Sequence, residues 1–204
     1  MPAALLVQTQ VIGVGRFDMH EMSGETGASA DRLQGPPRWM MTLESPQDLD
    51  AAAMDLWRSM LVKLRGRVNH LAAWDVQRPA PRGTMRGTMT LLSSIVQGAT
   101  TMTVTAGAGQ AGTNLKGGDW LQLGSGLTGQ LVMVVDDAGP ANGSGQLTVN
   151  FEHPIRAVAG YAAGTAITWD KALGHYKLTS PSVQWERRGG PLEGPASATV
   201  LEQW

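Results

Sequence analysis

Residues 103–120 read TVTAGAGQAGTNLKGGDW, and Gly107, Gly109 and Gly112 within them have the G-x-G-x-x-G spacing of a dinucleotide-binding loop. That motif works by placing a pyrophosphate on the free N–H groups of a helix that follows a strand, so the residues on either side decide its meaning. Upstream, Thr101, Thr103 and Thr105 alternate with Met102 and Val104, as in a half-buried strand. Downstream, Gly117 and Gly118 fall where the first turns of the helix should be, and adjacent glycines disfavour a helix. Trp120, Leu121, Gln122 and Leu123 then resume a strand, and no acidic residue stands about 20 positions on to hold a ribose. The glycines are therefore read as turn chemistry between two strands, which removes a Rossmann fold and a nucleotide cofactor together.

Composition points the same way. The chain has 204 residues, 26 of them glycine and 11 proline, and only 16% are charged, which suits short strands joined by tight turns. Its net charge of -1 offers no general attraction to nucleic acid or anionic lipid. Cysteine is absent, which excludes disulfides, thiolate catalysis and zinc–sulfur sites. The opening MPAALLVQTQVIGVG lacks a basic n-region and is not expected to be a signal peptide, and no stretch has the roughly 20 apolar residues of a membrane span.

Outward from the opening stretch, further strands are expected at 89–92, 102–104, 120–123, 131–135, 147–151 and 166–169, with a last pair at 176–186 and 198–203 around RRGGPLEGP. Towards the N-terminus, strands are expected at 5–14 and 39–44. The polar, glycine-broken residues 18–37 between them read as a long loop. One helix is expected over 46–65, with Ser45 as N-cap, Pro46 in the first turn and Gly66 at its close. Leu49, Ala52, Ala53, Leu56, Trp57, Met60, Leu61 and Leu64 form its apolar stripe. The fold class is thus mainly β with one amphipathic helix, an α+β chain. Residues 1–87 and 172–204 are expected to build a β-barrel or sandwich domain, with 88–171 inserted as a small all-β module after the Pro-rich exit at 79–83.

Catalytic patterns are missing. Asn142-Gly143-Ser144-Gly145 is a turn rather than a nucleophile elbow, and Asp136 and Asp137 point to opposite sides if extended. Asp18, His20 and Glu21 cluster in the polar loop, where a solvated loop is the simpler reading than a metal site. Trp57, Trp120, Trp169 and Trp185 fall on apolar stripes and read as core, although Trp120 is also the candidate for contact with a surface glycan. Arginines concentrate in the first 90 residues, and Arg32, Arg38, Arg65, Arg67, Arg78 and Arg82 are candidate contacts to another subunit or partner. No enzyme, cofactor or metal is expected.

The run LRGRVNHLAAWDVQRPAPRGTMRG (64–87), following LWRSMLVK, together with LKGGDWLQLG and GQLTVNFEHPIRAVAGYAAGTAITW, resembles segments of tailed-bacteriophage tail and prophage baseplate proteins. The nearest role is that of a distal tail protein. The resemblance implies a homo-oligomeric ring, a hexamer, placed between the tail tube protein and the hub or baseplate proteins of a long non-contractile tail. It implies a structural virion protein at the tail tip, present in the host cytoplasm during assembly. A carbohydrate- or receptor-binding tail component is the alternative expectation, and a virion-associated hydrolase a third, for which no nucleophile and base are found.

Overall fold

The computed structural model describes residues 1, 5–22, 29–185 and 194–203, with 17–22 and 29–34 described by backbone only. Strands β1 (Thr9–Met22) and β2 (Ser29–Glu44) form a long antiparallel hairpin, paired from Thr9 opposite Glu44 to Met22 opposite Ser29 with shifts of register on either side of Phe17. Next come α1 (Ala51–Leu64) and β3 (Leu71–Ala73). Six strands follow: β4 (Met89–Leu91), β5 (Thr101–Thr105), β6 (Trp120–Leu123), β7 (Gln130–Val134), β8 (Gln146–Glu152) and β9 (Ala166–Thr168). The chain ends in β10 (Gly174–Leu178) and β11 (Ser197–Glu202). The molecule is mainly β, with one α-helix among the described residues. Strands β4 to β9 close a barrel in the order β4-β5-β8-β7-β6-β9, and the remaining five form a sheet in the order β1-β2-β11-β10-β3.

Residues 106–119 confirm the turn reading of the opening stretch. Gly107 and Gly112 have φ of 83° and 78°, Ala108–Gln110 make a single 3-10 turn, and the chain passes into β6 without a helix. The strands expected from 89 to 169 are all present.

The expected loop at 18–37 is a correction. Apart from 23–28, which lie outside the described residues, it belongs to β1 and β2. The two strands pair with each other there, while β11 covers β2 only from Met40 to Glu44. A two-stranded ribbon has no buried face to impose apolar alternation, so its sequence stays polar. Pro36 and Pro37 fall within the shift of register between Gly15/Arg38 and Phe17/Gly35, where a strand tolerates residues that cannot donate to the ladder. The first strand also starts later than expected, at Thr9, and β10 stops at Leu178 rather than running to residue 186.

The helix start is the second correction. Asp50, not Ser45, is the N-cap, its carboxylate accepting the Ala53 N–H at 2.7 Å. Ser45 is committed elsewhere: its hydroxyl accepts the Ala196 N–H at 2.9 Å and its own N–H donates to the Ala196 carbonyl. A tertiary contact therefore consumes the capping oxygen, and the helix begins five residues later, at Ala51. At the other end Arg65 is left-handed (φ 47°), and a Cβ on Gly66 would lie 2.7 Å from the Pro181 carbonyl oxygen. The stripe is also rephased: Met54, Trp57, Met60, Leu61 and Leu64 are buried, whereas Ala52 and Leu56 are exposed.

Two cores result. One fills the barrel, from Met89 and Leu91 through Val104, Leu121 and Val132 to Phe151 and Ile167. The other gathers Trp39, Met41 and Leu43 of β2, the buried face of α1, and Tyr176, Ala198 and Val200. Strands β6 and β7 serve both: Leu121, Leu123, Val132 and Val134 enter the barrel, while Leu131, Trp120 and Met133 on the opposite face pack on the sheet core. That double burial explains their near-continuous apolar character. The sheet itself curls until the Gln10 amide spans the gap, donating to the Trp74 carbonyl at 2.9 Å and accepting the Val76 N–H at 2.8 Å.

Candidate functional site

The structure separates the candidate arginines instead of gathering them. Arg32 stands opposite Met19 in the hairpin arm, and Arg38 opposite Gly15 at its base. Arg65 closes α1 and is exposed. The guanidinium of Arg67 donates to the Thr179 carbonyl. Arg78 and Arg82 meet at Gly118, where a Cβ would lie 3.5 Å from a guanidinium nitrogen of each, and Arg82 also donates to the Gly117 carbonyl. Exposure is shared by Arg65, Arg67, Arg78 and Arg82, a common site is not.

The G-G-D-W stretch holds the linker to the barrel. Asp119 is fully buried, and its carboxylate accepts the N–H groups of Arg82 (2.7 Å), Gly83 (3.0 Å) and Lys116 (2.7 Å). Arg86 fixes the same segment from the other side, donating to the carbonyls of Pro81, Gly83 and Met85 while lying 5.1 Å from the centre of the Trp169 ring. The Pro-rich exit is therefore a strapped connection with little freedom to swing.

Sequence reasoning did not find the joint itself. Glu202 on β11 and Arg156 after β8 form a buried ion pair at 2.9 Å, and the same Glu202 oxygen accepts the Trp39 N–H at 3.1 Å. Burial raises the Glu202 carboxyl above the usual carboxylate range, against the opposing pull of Arg156. The Trp39 indole donates to the Leu131 carbonyl at 3.1 Å and meets Trp120 edge-on, with centroids 4.7 Å apart. Trp120, the candidate for a surface contact, is thereby placed in the joint. The ring of His153 has its centroid 4.0 Å from that of Trp39; it is fully buried, and neither ring nitrogen has a hydrogen-bond partner among the described residues. Burial first, then the charges of Arg156 and Arg16, push its pKa down to about 3, so the imidazole is neutral. The one signal available beforehand was Glu202 itself, a carboxylate in the phase of Ala198 and Val200 in an apolar strand. Beside the joint lies a cleft of about 300 Å³ lined by Leu127, Gln130, Arg156, Tyr161, Glu202 and Gln203.

Asp18, His20 and Glu21 lie within β1 rather than in a loop. Of the other histidines, His70 is exposed, and the half-buried His175 is near enough for its charge to lower the His175 pKa further, after burial. Among the described residues no group of three or more acidic or histidine side chains is placed to hold a metal ion, and no helix is long and apolar enough to cross a membrane.

What remains open is the sheet. Beyond Gln10 the outer edge of β1 has no backbone partner among the described residues, and neither does β2 on its far side before Met40. Val11 (58% exposed) and Met40 (40%) lie on the uncovered surface near the base of this arm. No protein-family model matches the sequence, and no curated protein matches it.

Proposed function

We propose that this chain is a structural protein of a long, non-contractile phage tail, forming a homo-oligomeric ring that joins the tail tube protein to the tail-tip hub or baseplate proteins. The observation that carries the reading is the hairpin arm, in which the outer edge of β1 beyond Gln10 and the far edge of β2 before Pro37 pair with no other strand among the described residues, whereas Pro37 and Trp39 are held by Arg156 and Glu202. An isolated two-stranded ribbon is marginally stable in water, and open edges are templates for pairing. The edge of β1 on one subunit and that of β2 on the next are different surfaces, so their pairing is head-to-tail and closes a ring if the rotation permits. The strapped linker and the buried joint support the same role, because an adaptor transmits position and needs its inserted barrel held at a fixed angle. Exposed Arg65, Arg67, Arg78 and Arg82 are then contacts to neighbouring subunits or tail proteins. Function here is geometric, without catalysis, cofactor or metal, and the resemblance to distal tail proteins supplies the hexamer as the expected number.

Sedimentation equilibrium over a wide concentration range tests this. A discrete species several times the 21.6 kDa chain is expected. A strict monomer throughout removes the self-assembling ring.

A further inference from the structure

The rephased helix leaves a second face uncovered. Ala52, Asp55, Leu56, Ser59, Val62 and Lys63 are all exposed, with Leu56 at 38% and Val62 at 59%. Spaced three, four and seven apart, they share one stripe of α1. The stripe is self-complementary about Ser59. Three residues to either side stand Leu56 and Val62, and four to either side Asp55 and Lys63.

We infer that α1 pairs with α1 of a second copy of this chain, antiparallel, across a two-fold axis at Ser59. Such an axis brings each residue opposite the one equally far from Ser59 on the other helix. Leu56 then meets Val62, twice, and covers the exposed apolar surface. Asp55 meets Lys63, twice, on the flanks of the contact. The small Ser59 occupies the crossing point, which lets the axes approach to about 8–10 Å. Asp55 is free to serve, since its side chain is 71% exposed and only one oxygen is engaged, with Arg58 at 3.2 Å in the same helix. Lys63 has no carboxylate partner among the described residues. A parallel pairing would set Asp55 on Asp55 and Lys63 on Lys63, so charge selects the antiparallel one. The contact is isologous, uses neither sheet edge, and does not rest on the ring.

The absence of cysteine from the chain makes the test direct. Full-length Ser59→Cys is oxidised with diamide in parallel with Ser144→Cys, whose thiol sits on an exposed turn of the barrel. Ser59→Cys is expected to give covalent dimers and Ser144→Cys none at the same concentration. In the Ser59→Cys background, Asp55→Lys is expected to slow cross-linking about tenfold by replacing two attractions with two repulsions, and Asp55→Lys with Lys63→Asp to restore it. Equal cross-linking of the two cysteine variants, or indifference to the charge changes, overturns the pairing. Sedimentation of the reduced samples reads the ring separately. Large assemblies without selective cross-linking leave the ring and remove the helix pair. Selective cross-linking with no species above two chains does the reverse.

Discussion

His153 makes a residue-scale prediction with a definite sign. Its folded pKa, about 3, lies below the ordinary 6.5, so the unfolded chain binds the extra proton between these values. The stability it contributes is complete above pH 6.5 and is lost as pH falls towards 3, at about 1.4 kcal/mol per unit. Glu202 acts in the opposite sense: burial raises its pKa, so its contribution is complete below the ordinary carboxylate value and is lost as pH rises through the raised one. Comparison of the native chain with His153→Gln isolates the histidine. From pH 6.5 to 4 the native chain is expected to lose about 3 kcal/mol more than the variant in urea unfolding. Parallel losses in the two would mean that His153 accepts its proton in the folded state.

At the scale of elements, the helix start turns on which oxygen caps it. Asp50→Ala removes the acceptor of the Ala53 N–H and is expected to cost about 1 kcal/mol, with a loss of helical ellipticity. Ser45→Ala leaves the cap intact and instead strips the buried Ala196 N–H of its acceptor, costing about 1–3 kcal/mol without shortening the helix. Circular dichroism with urea unfolding separates the two effects. The strand pair β6–β7 teaches a related lesson. Its continuous apolar run is the mark of a strand buried on both faces, and the second face is supplied by the other core.

At the scale of the whole molecule, the joint decides whether sheet and barrel behave as one body. Arg156 belongs to the barrel side, Glu202 and Trp39 to the sheet, and Trp120 and Leu131 reach across from β6 and β7. Glu202→Ala leaves the Arg156 guanidinium buried with its carboxylate removed and is expected to destabilise by about 3–5 kcal/mol. Calorimetry of the native chain should give one transition, and that of the variant should split or broaden as the two cores unfold separately. A single sharp transition in the variant at the native temperature would show that the ion pair does not couple them.

The sequence by itself determined the mainly β class, the single helix, the strands of the barrel and the structural meaning of Gly107, Gly109 and Gly112. These follow from short-range physics: periodicity of two in a half-buried strand, the cost of glycine in a helix, and the turn preferences of positive φ. Tertiary structure alone decided the rest. Residues 18–37 looked like a loop because a solvated ribbon needs no apolar alternation, and only pairing between β1 and β2 makes it a hairpin. Ser45 has the chemistry of a cap, yet Ala196, far along the chain, claims its oxygen. Leu56 and Met54 are equally apolar in sequence, and the position of the sheet chose which was buried. The joint was almost invisible, since Trp39, the pair His153 and Arg156, and Glu202 come from three separate segments and meet only when both cores have formed. Local preferences act within a few residues along the chain, whereas burial, and with it every buried charge and every open edge, is set by what the rest of the fold brings alongside.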